Sequence, residues 1–253
     1  MIRNEILSRL DGLSGEIGFY CKNLYTGESL GLREDDLFRA ASVIKLPLYA
    51  AVQKLCAEGA ASMAEELICR QKDKVPPCGA LCFFTGEVKV DIRTLCGLMI
   101  SLSDNTAANL LLDRFGMEEL NRQFRELGLK KTRLERRFMD RGAAARGREN
   151  WVTPREMGGL LERIYRRELI GPGVSREMEA LLLQQQIRHK IPGRLPACIP
   201  VAHKTGEDEG ITHDVGIVFA GEPFLLCFMS NNTDVPRTER AIRRIALALA
   251  EKE

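Results

Sequence analysis

In the run Ala41-Ser42-Val43-Ile44-Lys45-Leu46-Pro47, an alcohol and an amine stand three residues apart in an otherwise apolar stretch. On a helix Ser42 and Lys45 share one face about a turn apart, so the amine can reach the hydroxyl. A serine hydroxyl is a poor nucleophile until a neighbouring base takes its proton, and an ammonium among apolar side chains gives up its charge more readily than one in water. The pair therefore has the make-up of an activated serine, although a lone S-x-x-K also arises as a plain polar stripe on a helix. Two further runs follow in order, Ser103-Asp104-Asn105 and Lys204-Thr205-Gly206. A chain of this composition holds by chance about 0.4 S-x-x-K, about 0.01 S-D-N and about 0.04 K-T-G, so the three coincide with a probability on the order of 10⁻⁴.

The elements that must hold these residues are legible from the apolar periodicity. Ile2, Ile6, Leu7 and Leu10 are spaced as one face of a helix; Glu16 to Leu24 alternates as a strand, and Ser29 to Leu32 returns as the second arm of a hairpin. A helix is expected from Ser42 to about Ala57, with Pro47 close to its first turn. Pro76-Pro77 and Gly79 break the chain, and three helices follow around Leu95–Ile100, Ala107–Leu112 and Leu120–Leu127. Leu134 to Asn150 has no clean period and reads as an ordered loop with a short helical turn. Thr153-Pro154 starts a helix to about Glu168, and another spans about Arg176 to Gln186. Ile199–Lys204, Asp214–Ala220 and Phe224–Ser230 are dense apolar runs, hence buried strands, before a closing helix through Ala250. The two ends supply strands and the middle supplies helices, so the ends must meet in one sheet with a helical lobe inserted between its halves.

Composition excludes several classes of function. The 253 residues are 45% hydrophobic and 28% charged, as in a globular domain, and a formal charge of +2 gives no electrostatic case for nucleic acid or an anionic membrane. No apolar run approaches the roughly 18 residues of a spanning helix, and the N-terminus lacks the sections of a secretory signal. As written the chain is expected in the cytoplasm, or outside it if a leader has been removed. Eight scattered cysteines read as free, mostly buried thiols. The one close pair, Cys78 and Cys82, has no nearby histidine, so no metal and no cofactor is expected.

S-x-x-K, S-D-N and K-T-G together are the set of class A β-lactamases and penicillin-binding proteins. The sequence resembles this family of penicillin-recognising serine acyl-transferases over nearly its whole length, and its gaps of 61 and 101 positions between Ser42, Ser103 and Lys204 are close to the class A pattern. The resemblance implies an α/β (α+β) fold of the β-lactamase/transpeptidase type, an antiparallel sheet flanked by helices with an inserted all-helical lobe. One catalytic domain over 1–253 is expected, with an α/β lobe of about 1–40 and 199–253 and a helical lobe of about 41–198.

Roles carried over from the family make Ser42 the nucleophile at a helix N-terminus and Lys45 the base for acylation, neutral in a dry pocket beside a second cation, Lys204. Ser103 relays a proton to the departing amide nitrogen, Asn105 binds the substrate's side-chain amide, and Asp104 ties the turn together. Lys204 and Thr205 receive the substrate carboxylate, Gly206 lets the strand come close, and the backbone N–H groups of Ser42 and Glu207 form the oxyanion hole. His203 is expected to be structural, and His213 to border the pocket.

The resemblance breaks at the loop after S-D-N. Class A enzymes place there a glutamate that activates the deacylating water; aligned through Thr132–Arg136 and Thr153-Pro154, its place falls on Phe138. Asp140 is the nearest substitute, while Glu135, Asp140 and Glu149 also suit a purely structural part among the loop arginines. The resemblance thus implies a serine hydrolase acylated at Ser42 by β-lactams or related amides and esters, with slow deacylation. A D,D-peptidase-like penicillin-binding protein and a non-catalytic β-lactam or muropeptide sensor are the alternatives. The expected partner is a small β-lactam or peptidoglycan-like molecule, and the expected state a monomer.

Overall fold

In the computed structural model, which describes residues 2–251, the elements run α1 (Ile2–Asp11), β1 (Glu16–Asn23), β2 (Ser29–Leu32), β3 (Phe38–Arg39), a 3-10 turn (Ala41–Ile44), α2 (Lys45–Ala57), β4 (Glu66–Cys69), β5 (Val88–Asp91) and α3 (Ile92–Ser101). They continue with α4 (Asn105–Phe115), α5 (Met117–Glu126), α6 (Arg141–Ala145), β6 (Trp151–Val152), α7 (Pro154–Tyr165), α8 (Pro172–Leu182), β7 (Val201–Asp208), β8 (Ile211–Val218), β9 (Phe224–Asn231) and α9 (Val235–Ala250). Two compact units emerge: Met1–Val43 with Val152–Glu253, and Ile44–Trp151.

The first unit is built on a five-stranded antiparallel sheet in the order β2-β1-β9-β8-β7. The N-terminal strand pairs with the last one, Glu16 opposite Asn231 and Asn23 opposite Phe224. β8 and β9 are buried along their whole length; β9 reads as a continuous apolar run, whereas β8 carries the buried polar residues Thr212, His213 and Asp214, so an apolar run marks only its second half. On one face Phe19 and Phe228 meet edge to face at 6.4 Å and pack with Ile6, Leu10, Ile242 and Ile245 of α1 and α9; each such side chain contributes roughly 1.5–3 kcal/mol by leaving water. The other face carries α7, where Gly158 lies so close to Tyr20 that a Cβ would stand 2.5 Å from the ring. Thr153 caps α7 by accepting the Glu156 N–H at 3.1 Å, with Pro154 in the first turn, as the T-P pair predicts.

The second unit surrounds α2, whose residues from Lys45 to Val52 are all buried. A helix covered on every side is the central one of its bundle. α3 and α5 pack against it and α4 packs against α3 and α5, with Leu95, Met99, Leu111, Leu120 and Phe124 of these helices buried.

Two expectations about this region need correcting. The inserted lobe is not all-helical: β4 and β5 pair antiparallel, Glu66 opposite Asp91 and Cys69 opposite Val88. Each is four residues long and largely exposed or half-buried, so its alternation is too short to be told from an irregular segment by sequence. Residues 152–198, with α7 and α8, fall in the unit that holds the sheet and not with the helical lobe. α8 also starts earlier than about Arg176, because Pro172 occupies its first turn. Among the described residues no helix is long and apolar enough to cross a membrane.

Candidate active site

Ser42 lies in the 3-10 turn, and α2 begins at Lys45. This corrects the expectation of a single helix from Ser42. Pro47 has no N–H, so it is accommodated in a helix's first turn and not further in; α2 therefore starts just before it. The residue ahead of the serine, Ala41, has φ +43°, a left-handed conformation that costs a non-glycine residue about 1–3 kcal/mol. The Val43 N–H donates to the Ala40 carbonyl at 3.0 Å, and Ser42 itself is only partly buried. Gly206 of K-T-G faces this turn. A Cβ on it would stand 3.1 Å from Val43 Cγ2, 3.2 Å from Val43 N and 3.3 Å from Ala40 O. The glycine thus makes room for the serine's own turn.

Lys204 and Thr205 sit mid-strand in β7, both buried. Lys204 Nζ donates to the Thr205 carbonyl at 2.8 Å. Thr205 Oγ1 is buried with no hydrogen-bond partner among the described residues, and such an atom costs free energy unless something pairs with it. Sequence reasoning missed Lys190. It is fully buried, donates to the carbonyls of Gly206 at 3.1 Å and His213 at 3.2 Å, and lies 3.0 Å from Glu207 Oε1. No motif marks it, since its partners are mainly backbone oxygens. His203 Nδ1 donates to Asp214 Oδ1 at 2.9 Å, and Asp214 Oδ2 also takes the Ile191 N–H at 2.9 Å. His213 donates through Nε2 to the Arg39 carbonyl at 2.8 Å and accepts the Ser230 N–H at 3.0 Å. Burial pushes its pKa down to about 4, so the ring is neutral and both its nitrogens are engaged.

In the helical unit the ammonium of Lys45 is the hub. Its Nζ donates to Ser103 O at 2.6 Å, Asn105 Oδ1 at 2.7 Å and Ser103 Oγ at 3.3 Å, and lies 4.8 Å from the centre of the Phe138 ring. Complete burial lowers its pKa from 10.5 to about 7, against the opposing pull of Cys78 and Asp104. At neutral pH a large fraction is then the free amine, the form that takes a proton. Ser103 is buried and itself left-handed, φ +57°.

Asp104 holds this corner. Its carboxylate accepts the N–H groups of Ala107 at 2.9 Å, capping α4, and of Ala80 at 2.7 Å and Leu81 at 2.9 Å. The Asn105 N–H donates to the Cys78 carbonyl at 3.3 Å, and Gly79 has φ +105° with no room for a Cβ beside Asp104. Asp104→Ala is expected to cost about 3 kcal/mol, from the lost cap and the orphaned N–H groups. Urea denaturation reads this directly; a loss under about 1 kcal/mol would mean that the turn finds other partners.

Phe138 stands where the loop alignment puts the missing glutamate. It is buried, and Asn109 holds its backbone on both sides: Phe138 N–H to Asn109 Oδ1 at 2.9 Å and Asn109 Nδ2 to Phe138 O at 3.1 Å. The loop's carboxylates are engaged elsewhere. Asp140 accepts the Ala143 N–H at 2.8 Å as the cap of α6, Glu149 binds Arg136 at 2.8 Å, Glu135 binds Arg133 at 2.6 Å, and Arg137 pairs with Asp113.

The sequence profile of the beta-lactamase enzyme family matches residues 2–252. A beta-lactamase of Streptomyces albus G is 28% identical over 263 residues, covering 97% of this chain and 82% of that protein. Among solved structures, the beta-lactamase from Sphaerobacter thermophilus DSM 20745 superposes with a TM-score of 0.89 at 28% identity, covering 98% of this chain and 95% of the other. A structure of PBP-A gives 0.89 at 27% identity, with 99% and 94% covered.

Proposed function

Because the chain belongs to the beta-lactamase enzyme family, we propose that it is a serine hydrolase acylated at Ser42 by β-lactams or chemically related peptidoglycan-like amides. The observation that carries this reading is Lys45, a fully buried amine with a pKa of about 7 and Ser103 Oγ at 3.3 Å.

In the reaction, Lys45 as free amine takes the Ser42 Oγ proton while Oγ attacks the scissile carbonyl carbon. The carbonyl oxygen becomes an oxyanion received by the backbone N–H groups of Ser42 and Glu207. The C–N bond breaks as Ser103 passes a proton to the leaving nitrogen, leaving an ester on Ser42. The Lys204 ammonium attracts the substrate carboxylate, and the unpartnered Thr205 Oγ1 supplies a hydrogen bond to it. Hydrolysis of the ester then needs an activated water. Phe138 brings no base, so acylation outruns deacylation and the acyl-enzyme accumulates.

Intact-protein mass followed over time with excess benzylpenicillin tests this. The expected result is one penicillin adduct per chain that decays slowly as drug is consumed. An adduct that never decays would reduce the protein to a single-event sensor, and no adduct with no drug loss would remove the reading. The pH profile is a separate prediction. With Lys45 near 7, the acylation rate is expected to level off above pH 7 and to fall about tenfold per pH unit below it, as the amine protonates. A rise that begins only near pH 10 would mean that Lys45 keeps its ordinary basicity.

A further inference from the structure

Three metal-ligating side chains of the sheet-bearing unit converge at the end of β7, one of them that of Glu207, whose backbone N–H is proposed above for the oxyanion hole. His189 comes from the segment after α8, Glu207 from the end of β7 and Glu239 from α9, and their donor atoms all lie within 4.8 Å of one another. His189 Nε2 is 3.2 Å from Glu239 Oε1 and 3.6 Å from Glu207 Oε1. Two ligands on a tetrahedral zinc ion, with bonds of about 2.0–2.1 Å, stand about 3.3 Å apart. Both separations are therefore close to the edge of such a tetrahedron. The donors belong to three separate segments, so their meeting is not the by-product of a single helix face.

The surroundings fix the kind of ion. Lys190 Nζ lies 3.0 Å from Glu207 Oε1, Arg243 lies 3.7 Å from Glu239 Oε2, and Thr212 Oγ1 donates to Glu239 Oε1 at 3.2 Å. Two cations already balance the two carboxylates, so an ion held by charge alone gains little here. An imidazole nitrogen favours the borderline transition metals over magnesium or calcium. On Glu239 the guanidinium keeps Oε2 while the ion takes Oε1, and on Glu207 the ammonium and the ion use different lone pairs of Oε1. His189 and Glu207 have side chains 49% and 50% exposed, which opens the cluster to ions from solvent.

We propose that His189, Glu207 and Glu239 form a surface site for a divalent transition-metal ion of the zinc class, with water in the fourth position. Zinc titration of the full chain against a chromophoric chelator tests it, together with the visible spectrum of bound Co²⁺. The expected result is one ion per chain with a tetrahedral cobalt spectrum that lacks thiolate charge transfer. His189→Ala and Glu239→Gln are each expected to weaken binding at least about tenfold, and a Cys78→Ser/Cys198→Ser variant to bind as the wild type does. Thermal melting of the metal-free variants checks that they fold. No saturable binding, a thiolate band, or binding untouched by His189→Ala would overturn the proposal.

Discussion

Replacing Ser42 with alanine is expected to abolish covalent labelling by penicillin, lowering the acylation rate by about 10⁴-fold or more. The substitution removes one oxygen from a partly exposed position and leaves the turn intact, because the Val43–Ala40 hydrogen bond and the close approach of Gly206 are independent of that hydroxyl. Lys45, Ser103 and Asn105 keep their contacts in the helical unit, so the loss isolates the nucleophile from its base. Intact mass after exposure to drug is the readout. An adduct that persists on the variant would move the nucleophile elsewhere, with the exposed thiol of Cys78 the first place to map.

Phe138→Glu is expected to shorten the acyl-enzyme lifetime by about 10²-fold or more, the contribution of a positioned general base. The ring centre lies 4.8 Å from Lys45 Nζ, and the Asn109 clamp holds the backbone rather than the ring, so a new carboxylate would start from the same place. A glutamate is smaller than the ring and leaves room for a water. It also brings a negative charge beside Lys45, which raises the pKa of the amine. The same variant should therefore acylate more slowly near pH 7, with the acid limb of its profile displaced upward. Faster deacylation and an upward-shifted limb together identify the new base. An unchanged lifetime in a variant that melts normally would mean that residue 138 does not face the ester.

The candidate residues were legible from types and spacing, and the roles proposed for them come from the family resemblance. S-x-x-K, S-D-N and K-T-G name Ser42, Lys45, Ser103 and Lys204 without geometry, because their order and spacing are too rare to be accidental. The helices and the apolar parts of the buried strands were legible, but the polar buried residues Thr205 and Thr212–His213 hid the second half of β7 and the first half of β8. What escaped notice was coded in backbone geometry or in exposed residues. The Lys190 ammonium is held largely by carbonyl oxygens, which every sequence has. The β4–β5 pair is only four residues on each strand, too short for its alternation to stand out. Pro47 did carry the true start of α2, and a stricter reading of its missing N–H would have placed Ser42 ahead of the helix.

The pairing of β1 with β9 has a consequence for synthesis. β1 needs a partner on each side; the hairpin supplies β2 at once, but the other edge waits for Phe224–Asn231. At about 5–20 residues per second the ribosome takes on the order of 10–40 s to deliver it. Throughout that interval a growing chain carries an apolar strand with one unpaired edge, the kind of surface on which neighbouring chains join. Spontaneous refolding meets the same obstacle, since contacts so distant in sequence are closed late and slowly. Shielding of that waiting edge therefore bears on yield from a crowded expression host separately from the stability of the finished sheet.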